Sequence, residues 1–153
     1  MNQTANIHRS ADINEILRHI PHRHPFLLID RMEECEPHKR VKVSKNLASN
    51  EWFFGDRPPY AMPQLMVVEA LAQTAGVLCH FSGMMSNLER PLIFFAGIDD
   101  FKAYGDAFRG DQMTLECELV RALRGVVKVA GSAFVGDRLM LTANLTAVVR
   151  NAP

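Results

Sequence analysis

Apolar positions along the chain follow two rhythms. In Asp12–Ile20, Ile13, Ile16, Leu17 and Ile20 recur at helical spacing behind Ser10 or Asp12 as a cap, and Pro21 ends the run. In Met62–Phe81 a proline stands near the start and apolar residues occupy every face, which predicts a long helix buried on all sides. Elsewhere the pattern is that of strands. Phe26–Cys35 and Arg40–Leu47 flank the turn Glu36–Lys39, and in the second Val41, Val43 and Lys45 alternate with Lys42 and Ser44. Leu92–Lys102 is another strand, followed by a turn-rich stretch from Tyr104 to Asp111. Gln112–Leu123, Gly125–Val135 and Leu139–Arg150 close the chain, rich in Val, Leu, Thr and Ala and bounded by Arg124-Gly125 and Gly136-Asp137. Asn50–Tyr60 is an irregular loop, and Gly83–Arg90 a connection. Consecutive strands with short turns form an antiparallel meander with one face free for a helix, so the class is α+β.

Composition narrows the function. The 153 residues suit one domain, and 17 basic against 17 acidic residues give no electrostatic footprint for nucleic acid or an anionic membrane. The longest apolar run carries Glu69 and Gln73 near its centre, which argues against a membrane span. The polar start, Met1 to Ser10, lacks the apolar core of a signal peptide. Cys35, Cys79 and Cys117 are odd in number and widely spaced, which suits reduced thiols in a cytoplasm. No pair of cysteines or histidines has metal-ligand spacing, so neither a metal nor another cofactor is expected.

Glu69 stands alone on the apolar helix. An ionised carboxylate buried there costs several kcal/mol unless it is satisfied or used. It is either a structural group bonded to nearby amides or a general acid or base whose burial raises its pKa toward neutrality.

Four segments in register resemble the FabZ-type 3-hydroxyacyl-(acyl carrier protein) dehydratases, which have the hotdog fold. They are Pro21 to Arg31, Lys45-Asn46 with Asn50 to Phe54, Met62-Pro63 with Glu69 to Gly76, and Phe95 to Lys102 with Gly110 to Gln112. The resemblance spans nearly the whole chain. It implies a single hotdog domain over residues 1–153, its first ten residues flexible, with a long helix wrapped by a curved antiparallel sheet. It also implies dimers joined edge to edge, or assemblies of them, with tunnels for an acyl thioester on acyl carrier protein or coenzyme A. The implied reaction is loss of water from a 3-hydroxyacyl thioester in fatty-acid or polyketide-type synthesis. Carried over residue by residue, Glu69 is the catalytic carboxylate and Gln73 the side chain that orients it. The backbone N–H of Gln64, where the family has glycine, polarises the thioester carbonyl. Phe53, Phe54, Met62 and Phe101 are candidates to line the acyl tunnel, although core packing explains such residues as often. Arg57, Lys102 and Arg109 are candidates to meet an acidic carrier protein.

One element departs from the family. Its loop carries a catalytic His in a Gly-His-Phe-Pro-Gly run, whereas this chain reads Phe53-Phe54-Gly55-Asp56-Arg57-Pro58-Pro59-Tyr60 and is two residues shorter. Neither Arg57 nor Gly55, the two positions that align with the His, cycles a proton near neutral pH. His22 and His24 belong to the opening motif and His80 to the far end of the helix, so by sequence none replaces it. Three readings stay open: a degenerate subunit that pairs with a His-bearing paralogue or binds a carrier protein; an enzyme in which Asp56, Arg57 or Tyr60 assists Glu69, as dehydratase, enoyl isomerase or thioesterase; and a non-catalytic acyl-thioester-binding protein.

Overall fold

The computed structural model describes residues 7–56 and 58–153. The elements follow in the order β1 (His8–Ala11), α1 (Ile13–Ile16), β2 (Arg31–Glu36), β3 (Arg40–Asn46), α2 (Gln64–Phe81), β4 (Pro91–Ala103), β5 (Gln112–Leu123), β6 (Val126–Val135) and β7 (Arg138–Asn151). All seven strands join one antiparallel sheet in the order β1-β2-β3-β5-β6-β7-β4. The sheet wraps α2, which gives the hotdog architecture expected of the sequence.

Period-two alternation aims one face of the sheet at α2. Met113, Leu115 and Cys117 of β5, Val127, Val129 and Ala133 of β6, and Leu141, Ala143 and Leu145 of β7 are all buried. Helix and sheet approach closely at Gly131, where a Cβ would stand 3.2 Å from the Leu71 side chain and 3.3 Å from the Ala143 carbonyl oxygen. A side chain there would require the Leu71 side chain or the β7 backbone to give by a few tenths of an ångström. The β5–β6 hairpin turns on Arg124 and Gly125, both at positive φ, as a two-residue loop between right-twisted strands requires. By length and composition α2 resembles a membrane span, but its residues from Val67 to Cys79, Glu69 apart, are packed within the fold.

Three expectations change. The helix expected over Asp12–Ile20 is a single α turn, α1, because the Arg18 and His19 N–H groups bond three residues back, to Glu15 and Ile16, and not four; beyond it the Arg23 guanidinium takes the carbonyls of Leu17, Ile20 and His22 at 2.9, 2.9 and 2.8 Å. The strand expected from Phe26 begins only at Arg31: the Gln73 side chain, not a neighbouring strand, bonds the backbone of Phe26 and Leu28. At the amino end, residues 1–6 lie outside the described residues, and His8–Ala11 forms an edge strand on β2 that the sequence did not suggest. The three cysteines are free and buried; burial pushes the thiols up, Cys79 to about 11 and Cys35 to about 12, which leaves them inert.

Candidate active site

Glu69, Ala72, Gly76 and His80 follow one another on one face of α2, and that face floors a cavity of about 600 Å³. Its walls are the segment after α1, from Leu17 to Arg23, and the start of β4. Glu69 opens into this cavity with 40% of its side chain exposed, so α2 is not buried on all sides. The helix gives up its apolar coat where the carboxylate stands.

Gln73, one turn on, is almost wholly buried at 1% exposure. Its Oε1 accepts from the Leu28 N–H at 2.9 Å, and its Nε2 donates to the Phe26 carbonyl at 2.7 Å and to Glu69 Oε1 at 3.0 Å. The two backbone partners fix which end of the amide is which, so the NH₂ must face Glu69. Gln73 therefore does two jobs: it replaces the missing sheet ladder of residues 26–28 and it orients the carboxylate.

His22 arrives from the opposite wall. Its Nε2 lies 3.4 Å from the same Glu69 oxygen, close enough for a charge pair but longer than a well-made hydrogen bond. Its position follows from Arg23, which clamps the carbonyls on both sides of the turn. His22 Nδ1 is buried and has no partner among the described residues. An Nε2–H facing the carboxylate, with a lone pair on Nδ1, is the tautomer that leaves no donor unsatisfied. Glu69 Oε1 thus accepts from Gln73 with His22 Nε2 close by, and Oε2 is left to the cavity.

These contacts reverse the expected shift of Glu69. The neighbouring His22, joined by the Gln73 amide, holds the carboxyl below the usual glutamate range, and partial burial is too weak to raise it toward neutrality. The group is a carboxylate at neutral pH and enters any reaction as a base.

The other residues named from sequence are placed elsewhere. Gln64 opens α2, exposed, and no side chain caps that end of the helix. Asp56 is exposed; the Tyr60 hydroxyl reaches its carbonyl at 3.4 Å, while the Tyr60 ring packs on Arg109, whose Cζ stands 3.6 Å from the ring centre. Arg57 lies outside the described residues. Phe54 and Met62 are core residues, Phe53 packs edge-on to Phe54, and Phe101 faces outward on β4. Within the single chain none of Phe53, Phe54, Met62, Phe101, Asp56 and Tyr60 lines the cavity beside Glu69. The residue that does reach it, His22, was passed over. Its only sequence signal was the Pro21-His22-Arg23 run, 47 positions from Glu69.

The FabA-like domain family matches residues 20–144. A curated relative, the 3-hydroxyacyl-[acyl-carrier-protein] dehydratase FabZ of Thiobacillus denitrificans, is 40% identical over 144 residues, covering 93% of this chain and 99% of the relative. Among solved structures, the dehydratase heterocomplex ApeI:P from Xenorhabdus doucetiae superimposes with a TM-score of 0.77 at 15% identity, over 89% of this chain and 91% of that one. A mutant thioesterase from Pseudomonas aeruginosa gives 0.69 at 12%, over 93% and 96%. At such identities the two structures share the fold alone.

Proposed function

The chain belongs to the FabA-like domain family and is dehydratase-like in sequence, and from that premise we propose that it dehydrates 3-hydroxyacyl thioesters, reversibly, with Glu69 as the proton-transferring group and His22 as its donor partner. The observation that carries this reading is the carboxylate itself: one oxygen meets His22 and Gln73, the other faces a cavity of acyl-chain size. In dehydration Oε2 takes the proton from the carbon next to the thioester carbonyl. The electrons of that C–H bond form the new double bond, the C3–O bond breaks, and the departing hydroxyl leaves as water with the proton Oε2 has just received. His22 and Gln73 keep Oε1 pinned, so one carboxyl acts as base and then as acid. The Gln64 N–H, in the uncapped first turn of α2, is the donor assigned to the thioester carbonyl. A carboxylate held below its ordinary pKa is a weak base, so turnover is expected to be slow beside that of a site with its own loop histidine.

The acyl group arrives on a carrier protein, as the name of the Thiobacillus relative suggests, or on coenzyme A, in the cytoplasm. Assembly belongs to the same proposal. β4 is an edge strand that displays Phe94, Phe95, Ile98 and Phe101 to solvent, and such an edge invites pairing with a second copy or with a paralogue. A monomer in sedimentation at micromolar concentration would count against it.

A second reading, thioester hydrolysis, has the same carboxylate direct a water at the carbonyl; it is favoured by the loop that carries no histidine. One assay separates the two. Incubated with a trans-2-enoyl thioester, the protein is expected to consume the enoyl absorbance without releasing free thiol, and Glu69→Gln to abolish that loss. Free thiol with the double bond intact would instead identify a thioesterase.

A further inference from the structure

The cavity has a second polar end. Glu69 and His80 are eleven residues apart on α2, about 16 Å at 1.5 Å per residue, and both line it. Between them the floor is Ala72 and Gly76, under apolar walls. A Cβ at Gly76 would stand 3.8 Å from Ile20 and from Ile93, so the glycine keeps the groove open at its middle.

At the far end the His80 ring stacks on His19, ring centres 3.4 Å apart and planes 19° from parallel. Phe81 stands edge-on to both. His19 is held by Glu15 at 2.8 Å. The hydrogen-bonding capacity of the lining can be followed group by group. Arg18 pairs with Glu15 through Nη1, Arg23 is spent on three carbonyls, and the Ser86 hydroxyl donates to the Gly83 carbonyl. His80 makes no hydrogen bond among the described residues, yet its nitrogens are not sealed from the cavity. The polar groups left open to a ligand are thus the Glu69 carboxylate at one end and, at the other, the His80 imidazole with the outer face of Arg18 beside it.

We propose that this groove takes an acyl chain whose far end carries an uncharged hydrogen-bonding group, such as a hydroxyl, bound by His80 on its stack with His19. The assignment rests on the acyl-thioester reading above and adds a substrate class to it. Burial and the neighbouring His19 hold the His80 imidazole below the ordinary histidine range, so at neutral pH it offers one donor and one acceptor and no charge. Arg18, the cation at this end, is already paired with Glu15 at 2.9 Å, so the pair brings no net charge to hold an anionic end such as a carboxylate. A methyl end would leave the imidazole desolvated and unpaired, the condition under which a site rejects an analogue that lacks the matching group.

The test is calorimetric binding of two 3-hydroxyacyl pantetheine amides of equal length, one ending in methyl and one in hydroxyl, since the amide is not hydrolysed. The hydroxyl-ended chain is expected to bind about tenfold tighter, the worth of one well-made hydrogen bond. His80→Phe should erase or invert that preference, and Glu69→Gln, at the other end, should keep it. Equal or tighter binding of the methyl-ended chain by the native protein overturns the assignment, as does the absence of binding by either chain; this comparison needs no variant to fold. A hydroxyl preference in a protein that turns over no enoyl thioester sustains the substrate class and defeats the dehydratase reading, so the two failures are distinguishable.

Discussion

Two segments flank the start of α2, and they have been treated differently. The opening segment, from Pro21 to Asp30, is tied down at several points along its length: Arg23 holds the turn, Gln73 holds the backbone of Phe26 and Leu28, and the Asp30 N–H donates to the Ser44 carbonyl of β3. The loop from Asn50 to Met62 is anchored at its start by the buried pair Lys45–Glu51 and by Trp52 on the Pro25 carbonyl. Beyond Phe54 it is mostly exposed and sends none of its described residues to the cavity. The first delivers His22 to Glu69; the second, where FabZ-type relatives are expected to carry their histidine, delivers nothing within the chain. A proton group is positioned by the backbone that holds it, and here only one of the two segments is held against the helix that carries the carboxylate.

The comparison breaks most visibly at Glu69. Glu69→Gln keeps the shape and the Gln73 contact but removes the base, and is expected to cut enoyl-thioester hydration by about 10²–10⁴-fold. Folding should change little. Because the folded carboxyl sits below its unfolded value, its stabilisation is present above the unfolded pKa and is lost as pH falls through the folded one. The group is well exposed, so solvent screening leaves that contribution small. Urea melts of both proteins at pH 7 check this.

His22→Ala should cost about 10²-fold, the lower end of what a positioned proton group contributes. It should also move the acid limb of the pH–rate profile upward, toward the ordinary glutamate range, since His22 is the main cause of the depressed carboxyl. A loss of rate with an unmoved acid limb would leave His22 a merely structural role. Gln73→Leu is expected to destabilise by about 2–4 kcal/mol, because it orphans the Leu28 N–H and the Phe26 carbonyl inside the fold; thermal denaturation reads that directly. At the small end, Asp56→Ala and Tyr60→Phe should each stay within about 0.5 kcal/mol, roughly twofold in rate. A large loss from either would restore the loop to the site and undo the contrast.

Much of the fold was legible because its signals are local. The turns at Arg124-Gly125 and Gly136-Asp137 set the β5–β6–β7 meander, and the unbroken apolar run set α2. What was hidden depends on partners distant in sequence. Residues 26–30 read as strand because Leu27, Leu28 and Ile29 are apolar, but Phe26 and Leu28 bond the Gln73 side chain and only Asp30 reaches β3. The Asp12–Ile20 helix tightens after one α turn, at the Arg18 and His19 bonds to Glu15 and Ile16, which no helical periodicity reports. At the site, Glu69 was visible as a lone charge on an apolar helix. Its pKa direction was not, since that follows from His22 across the cavity and not from the helix itself. His22 was dismissed on its place in a motif, although the clamp formed by its neighbour Arg23 is what puts it there.

The central claim is that Glu69 and His22 of one chain work together, and mixing variants tests it most directly. Glu69→Gln and His22→Ala are co-expressed, the mixed assembly is purified, and its hydration of a trans-2-enoyl thioester is compared with each variant alone. If the pair acts within one chain, no mixed assembly contains an intact site, and the rate should not exceed that of His22→Ala. Recovery of a substantial fraction of native activity would show that the two groups act across copies and would contradict the account.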